Sequence, residues 1–194
     1  PTGSGKTFTS LASALPFVTK KNYKIIYCVR TNSQQEQVIR ELKAFAKAGT
    51  KISAVAIQGR ESMCPQQKND NELAKSNWSE KSKICKSLKL QSKMGEAGCP
   101  YYRKLLRPTK NLVETWSSKL YSAEEFTVNA EKEGICPYEL NKLLLKEAQV
   151  VIVPYVYFFE SFIRKYLLGW MNISIENVIT IIDEAHNLPD WSRE

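Results

Sequence analysis

The sequence predicts an α/β fold, a parallel-sheet domain interrupted by a mainly helical inserted module. Three observations predict it. A Gly-rich turn at the start, "PTGSGKT", runs straight into a helix-compatible stretch. Short, uniformly apolar runs recur in "KIIYCVR", "ISAVAIQ", "AQVVIVPY" and "NVITII", as parallel strands buried on both faces require. Between the second and third runs lies a long basic segment that contains cysteines and shows no strand pattern.

The opening turn spans Pro1–Thr7 and matches the last positions of the phosphate-loop pattern G-x-x-x-x-G-K-[ST]. Its nucleotide-binding set is Thr2, Gly3, Ser4, Gly5, Lys6 and Thr7. Gly3 and Gly5 let the backbone curl so that N–H groups point at phosphate oxygens. Lys6 can reach the β and γ phosphates, and the Thr7 hydroxyl can ligate Mg²⁺. The stretch "FTSLASALPFV" can then present a helix N-terminus to the anion. A strand is expected before this loop. Because the chain opens inside the motif, the sequence is expected to be a piece of a longer one.

The next strand is apolar from Ile25 to Val29, with Cys28 inside it as a small core residue. In "RTNSQQEQVIREL", Ser33 and Glu36 have capping-box spacing, so a helix is expected to begin near Ser33. Thr31, Asn32 and Gln34 fall at the strand's carboxyl end, where open α/β sheets place ligand contacts. Helix capping explains the same polar residues.

Near the other end, Val178–Ile182 reads as a buried strand that runs into Asp183 and Glu184. Acids at a strand's carboxyl end beside a phosphate loop form the usual second half of an ATPase site. Asp183 would hold Mg²⁺, with Thr7, and Glu184 would orient and deprotonate the attacking water. His186 is the only histidine of the chain, and its place in "DEAH" suggests a coupling role. The two motifs together point to an NTP-hydrolysing motor. The pair resembles superfamily 2 helicases of the DEAH-box type, built on a RecA-like domain.

The strand pattern stops at Gln58 and resumes near Ala148. The expected organisation is a first motor part at 1–58, an inserted module at 59–146 and a second motor part at 147–194. Four of the five cysteines, Cys64, Cys85, Cys99 and Cys136, lie in the insert, and three of them precede proline. From Lys81 to Lys119 there are ten Lys or Arg against two Glu, which equals the net charge of +8 of the whole chain. Trp78, Tyr101, Tyr102 and Trp116 are in or near this window. Cations interleaved with aromatics suit single-stranded nucleic acid; a solvated basic face with a small aromatic core has the same composition.

The single histidine excludes a Cys₂His₂ zinc site. A Cys₄ zinc site stays open on ligand count, but zinc sites bring cysteines in close pairs, and here the intervals are 20, 13 and 36 residues. Four scattered thiolates suit an iron–sulfur cluster better. The rival reading is an ATPase whose zinc-stapled, nucleic-acid-binding insert remodels rather than unwinds. An odd number of cysteines beside such motifs fits a disulfide framework poorly. The longest apolar run, Val150–Phe159, has ten residues, too few to span a bilayer as a helix. With no targeting segment visible, the expected location is cytoplasmic, or nuclear if the source is eukaryotic.

Taken together, "PTGSGKT", "YCVRTNSQ", "GRESMCP", "GCPYYR", "GICPYE", "VVIVPYVYFF" and "IIDEAHN" resemble the XPD family of iron–sulfur DNA helicases, to which the DinG, FANCJ and ChlR types are related. The resemblance implies a [4Fe–4S] cluster on Cys64, Cys85, Cys99 and Cys136, and ATP with Mg²⁺ as cofactors. It implies 5′-to-3′ unwinding of DNA forks, in repair or related DNA metabolism, by a monomer or a subunit of a repair complex. Contacts to single-stranded DNA are expected from Thr31, Asn32, Tyr101, Tyr102, Arg103 and Lys104. In that family a second motor domain and an arch domain complete the machine, so these 194 residues are not expected to unwind DNA alone.

Overall fold

The computed structural model describes residues 5–21, 23–69, 73 and 75–191. Four strands, β1 (Lys24–Val29), β2 (Ala54–Ala56), β3 (Val150–Pro154) and β4 (Val178–Ile182), form one sheet in the order β2-β3-β1-β4. Every pairing is parallel. Parallel neighbours need crossovers. Here α2 (Asn32–Lys47) carries the chain from β1 to β2, and α1 (Lys6–Lys21) precedes β1.

The uniform apolarity of β1 has a direct cause, because successive side chains point to opposite faces and both faces are covered. Ile25, Tyr27 and Val29 pack with Leu11, Leu15 and Val18 of α1 and Ile39 and Leu42 of α2. Ile26 and Cys28 join the opposite core. Burial pushes the Cys28 thiol up to about 12, so this cysteine behaves as a small core hydrophobe.

The start of α2 differs from expectation. Thr31, not Ser33, is the cap: its Oγ1 accepts from the Gln34 backbone N at 3.3 Å, and Gln34 Oε1 accepts from the Thr31 backbone N at 3.0 Å. Thr31 is still extended, at φ −124° and ψ 158°. β1 ends at Val29, so the chain turns at once to return along the sheet, and Ser33 and Glu36 fall inside the helix.

Residues 60–144 contain helices and, among the described residues, no strand: α3 (Arg60–Met63), α4 (Pro65–Asn69), α5 (Trp78–Lys93), α6 (Pro100–Arg103), α7 (Lys110–Ser117), α8 (Ala123–Lys132) and α9 (Pro137–Leu144). Reciprocal capping boxes, Asn77 with Glu80 and Ser122 with Glu125, fix where α5 and α8 begin. This segment is not a globule with its own core. Met63, Leu105, Trp116, Phe126, Ile135, Leu140 and Leu144 join Ile26, Val55, Val151 and Val153 in one cluster. The segment is thus a covering layer chiefly for one sheet face, while Ala123 of α8 and Leu120 reach the cluster on the other face. After β3 come α10 (Tyr155–Phe159) and α11 (Ser161–Met171), and after β4 a 3₁₀ turn at Ala185–Asn187 leads to α12 (Leu188–Trp191).

Polar side chains tie this layer to the sheet. Asn141 of α9, fully buried, donates to Ala56 O at 3.0 Å on the edge strand β2. Gln35 of α2 donates to Ile57 O at 3.0 Å. The Lys24 ammonium, at the start of β1, donates to Leu145 O at 3.2 Å, Lys146 O at 2.6 Å and Met171 O at 3.0 Å. It therefore holds the carbonyl ends of α9 and α11 together. Among the described residues, no helix is long and apolar enough to cross a membrane.

Replacing Lys24 by Met keeps the apolar stem and removes three charge-assisted bonds. The expected loss of stability is about 2 kcal/mol. Thermal unfolding of the Lys24→Met chain checks this; an unchanged midpoint would show that those carbonyls do not need the ammonium.

Candidate functional site

The carboxyl ends of β1 and β4 and the start of α1 meet at one edge of the sheet. Thr2, Gly3 and Ser4 lie outside the described residues. Gly5 has φ +70° and its carbonyl accepts from Thr9 N at 2.9 Å, opening the first turn of α1. Only glycine adopts that backbone readily. Lys6 follows and is exposed, and Thr7 is buried. The Tyr27 phenol lies beside the Thr7 and Ser10 side chains, which lower its pKa, but burial outweighs them and raises it.

Across the edge, Ile182 of β4 pairs with Cys28 of β1, and Asp183 N donates to Cys28 O at 2.9 Å. Burial first, then the neighbouring Glu184 charge, hold the Asp183 carboxyl above its ordinary range; a backbone hydrogen bond from Glu184 and the Lys6 charge oppose them. A divalent cation would relieve both causes, since a nearby positive charge favours the ionised form. Glu184 adopts a left-handed backbone, φ 49° and ψ 44°. Its carboxylate lies 3.7 Å from Lys6 Nζ and 3.3 Å from His186 Nε2. Arg30 Nη1 donates to Asn187 Oδ1 at 3.4 Å, joining the end of β1 to the turn after Glu184. Lys6, Thr7, Asp183, Glu184 and His186 therefore gather at one edge.

Tyr155 was not singled out by the sequence. Its hydroxyl donates to Asp183 O and lies 3.3 Å from Glu184 O. Tyr27 and Arg30 were missed too. Their sequence signal is slight, one polar-tipped residue within or just after an apolar strand.

A second cluster lies in the covering layer. Cys64 precedes Pro65 of α4, Cys99 is the N-cap of α6 before Pro100, and Cys136 is the N-cap of α9 before Pro137. Proline suits a first helical position, having no N–H to leave unpaired; neither the Cys99 nor the Cys136 thiol makes a cap hydrogen bond. The backbone of Gln66 and Gln67 lowers the Cys64 pKa, and that of Glu139 lowers the Cys136 pKa. Helix N-termini lower thiol pKa values. Here burial outweighs them: it pushes Cys136 up to about 12 and raises Cys64 and Cys85.

The thiols also act on one another. Cys64 feels Cys85 and Cys99, Cys85 feels Cys99, and Cys136 feels Cys64 and Cys99. All four are free of disulfides. Among the described residues, no group of three or more His, Cys, Asp or Glu side chains is gathered closely enough to hold a metal ion. Polar contacts brace the loops. Cys99 N donates to Ser92 Oγ at 2.9 Å, Cys136 N donates to Tyr101 O at 2.9 Å, and Glu139 of α9 pairs with Lys89 of α5 at 2.8 Å. Burial raises the Glu139 carboxyl pKa, but Lys89 and Lys142 more than offset this and hold it low.

The expected nucleic-acid contacts are scattered. Thr31 is occupied as a cap, and Asn32 lines a polar cleft with Gln35, Gln58 and Glu124. Tyr101 and Tyr102 are half-buried, and Tyr102 packs on the core with the Lys89 ammonium 5.6 Å from its ring. Lys104 donates to Glu133 O, whereas Arg103 is exposed. A different aromatic row does face solvent. On α11, Phe162 and Tyr166 are 69% and 52% exposed, and Trp170 follows one turn on. Their ring centroids are 4.9 Å and 6.3 Å apart, and the Lys142 ammonium lies 4.7 Å from the Trp170 ring.

The family model DEAD_2 matches residues 27–194. The chain is 30% identical over 171 residues to "Regulator of telomere elongation helicase 1 homolog" of Aedes aegypti, covering 88% of this chain and 15% of that protein. It is 28% identical over 177 residues to "Regulator of telomere elongation helicase 1" of Homo sapiens, with 88% and 13% covered. It is 28% identical over 174 residues to "Fanconi anemia group J protein homolog" of Gallus gallus, again with 88% and 13% covered. The chain thus spans a small part of the length of these relatives. Among solved structures, "XPD_Helicase" superposes with TM-score 0.60 at 24% identity, covering 98% of this chain and 29% of that one. "Truncated XPD" superposes with TM-score 0.58 at 24% identity, covering 97% and 47%. At that identity the likeness concerns the fold.

Gly98 tests how the Cys99 loop is held. Its φ is +47°, and a Cβ there would meet Ser92 Oγ at 2.2 Å, Ser92 N at 2.5 Å and Leu88 O at 2.6 Å. The Gly98→Ala chain is expected to lose amide-exchange protection from Leu88 to Arg103 while β1 keeps its own. Equal protection in both chains would mean that the loop tolerates the side chain.

Proposed function

Since this chain belongs to the DEAD_2 family and is a fragment of an XPD-type superfamily 2 helicase, we propose that it is the ATP-hydrolysing half of a DNA helicase motor carrying a [4Fe–4S] cluster. One observation carries the nucleotide half of this reading: Lys6 and Glu184 face one another at 3.7 Å beside Asp183, at the carboxyl edge of a parallel sheet. Gly5 and Lys6, with Thr2, Gly3 and Ser4, would bind the β and γ phosphates, and Thr7 and Asp183 would hold Mg²⁺. Glu184 takes the proton of the attacking water as the water oxygen bonds to the γ phosphorus. The bond to ADP breaks with its electron pair left on the ADP oxygen. His186 carries the state of Glu184 toward the DNA side.

Three features of the four insert thiols support the cluster reading. The thiols are unpaired and mutually repelling when ionised, and three begin helices. A cationic inorganic centre turns that repulsion into cohesion. A cluster would take one thiolate per iron from these four cysteines. When bound, the cluster supplies covalent cross-links among α3–α4, α5, α6 and α9, and Cys64, Cys85, Cys99 and Cys136 would hold it. Unwinding with 5′-to-3′ polarity belongs to the whole parent protein. Single-stranded DNA is expected on the basic insert, through Arg103 among others, and on the α11 aromatic row.

Three outcomes follow for the purified protein. Anaerobic material is expected to be brown with about four irons and matching acid-labile sulfide; a colourless protein with stoichiometric zinc would favour the remodelling ATPase instead. Cys99→Ser is expected to lose iron but keep nucleotide binding, whereas Lys6→Ala loses nucleotide binding and keeps iron. Loss of both properties in either variant would contradict two separable sites. Phe162→Ala with Tyr166→Ala is expected to weaken single-stranded DNA binding about tenfold, the worth of roughly one base stacked on an aromatic ring. Titration with a fluorescent oligonucleotide measures it, and unchanged affinity would remove α11 from the DNA path.

A further inference from the structure

The Asp183–Glu184 turn joins catalytic chemistry to an awkward backbone. Glu184 is not glycine, yet its φ is 49°. Such a conformation persists only where the surroundings over-determine it. No side-chain cap fixes the 3₁₀ turn that follows. On one side the Asp183 N–H is fixed by Cys28 O at 2.9 Å. The two carbonyls that flank the Glu184 φ and ψ angles, those of Asp183 and Glu184, both meet the Tyr155 hydroxyl. Tyr155 is rigid: it is 2% exposed, starts α10 directly after β3, and its ring meets Phe159 edge-on at 5.8 Å. β3 and β4 flank β1 on opposite sides, so the phenol reaches past the end of β1 to the far strand.

Building on the nucleotide reading above, we infer that Tyr155 is a positioning residue for Glu184, its hydroxyl holding the left-handed turn that aims the Glu184 carboxylate at the attacking water. Phenylalanine in its place keeps the packing and removes only the donor. The turn then relaxes toward an ordinary backbone, and the carboxylate moves relative to Lys6 and His186. Asp183 stays fixed through its N–H on Cys28 O, so nucleotide binding through Gly5, Lys6 and Asp183 is retained.

The test is a double-mutant cycle in the full-length protein. Tyr155→Phe is expected to lower kcat for ATP by about 10²-fold, the usual effect of misplacing a reacting group by about 1 Å, with KM and nucleotide affinity within about twofold. In single-turnover measurements on a Glu184→Gln background, Tyr155→Phe should cause no further loss, because the group it positions is already gone. A general structural role predicts the opposite: a lowered melting temperature, weaker nucleotide binding and a loss that multiplies with Glu184→Gln. Any of those three results, or a kcat equal to wild type, overturns the inference while leaving the ATPase assignment intact. A wild-type protein with no ATPase activity overturns that assignment and this inference with it.

Discussion

The parallel register between β1 and β4 is the constraint on which the rest depends. Cys28 opposite Ile182, followed by the bond from Asp183 N to Cys28 O, sets where the Asp183–Glu184 pair emerges. A slip of one residue would exchange the faces of all β4 side chains and put Glu184 where Asp183 now stands. The slip is resisted because β1 is sealed on both sides: Tyr27 and Val29 against α1 and α2, Ile26 and Cys28 against the covering layer. The chemistry at the edge is therefore held by core packing some distance away. The polar contacts at the edge itself, Lys6 with Glu184 and Arg30 with Asn187, are exposed or long and contribute little to stability.

The covering layer has the reverse economy. Its inner helices share the sheet's core, but α5 lies outside it, with Trp78, Leu90 and Met94 in or beside it and all exposed. Polar bonds attach α5 and the cysteine loops, among them Lys81 with Glu61 and Lys89 with Glu139, whose carboxylate is also shared with Lys142. Removing such charges from water cancels much of their attraction. That arrangement selects a geometry more than it stabilises one. A cross-link engaging all four thiols, as proposed above, would supply the missing cohesion, with cysteines at helix starts around a basic segment.

Much of this was legible because it is local. Apolar runs gave the strands, β4 at its observed bounds, and the Gly-rich turn and the acids after Ile182 marked the site edge. Three Cys-Pro pairs were visible, but their common geometry as helix starts was not, since the intervals between them carry no period. The α2 cap was misplaced by two residues because Ser33 with Glu36 and Thr31 with Gln34 have the same spacing, and only the end of β1 decides between them. Lys24 and Tyr155 were illegible for a different reason. Both bind backbone carbonyls, and a carbonyl has no residue type to leave a signature. The row on α11 has helical spacing, but it follows the apolar run of β3 without a break, and that run gives no sign of the exposed face.

Those carbonyl contacts also bear on how the covering layer can move. An inserted segment is free to swing only if both its junctions are loose. At its beginning, Ile57 O accepts from Gln35, Gln58 O accepts from the Tyr157 hydroxyl, and Ala56 O accepts from Asn141. At its end, Leu145 O and Lys146 O accept from Lys24. Both junctions are thus fastened to the sheet, one beside β2 and one at the start of β1. Lys24 begins the strand whose far end carries Cys28 O and Arg30. A displacement of α9 therefore loads β1 along its length instead of pivoting on a linker. β1 is the packed and hydrogen-bonded element that lies between the cysteine-bearing layer and the Asp183–Glu184 turn.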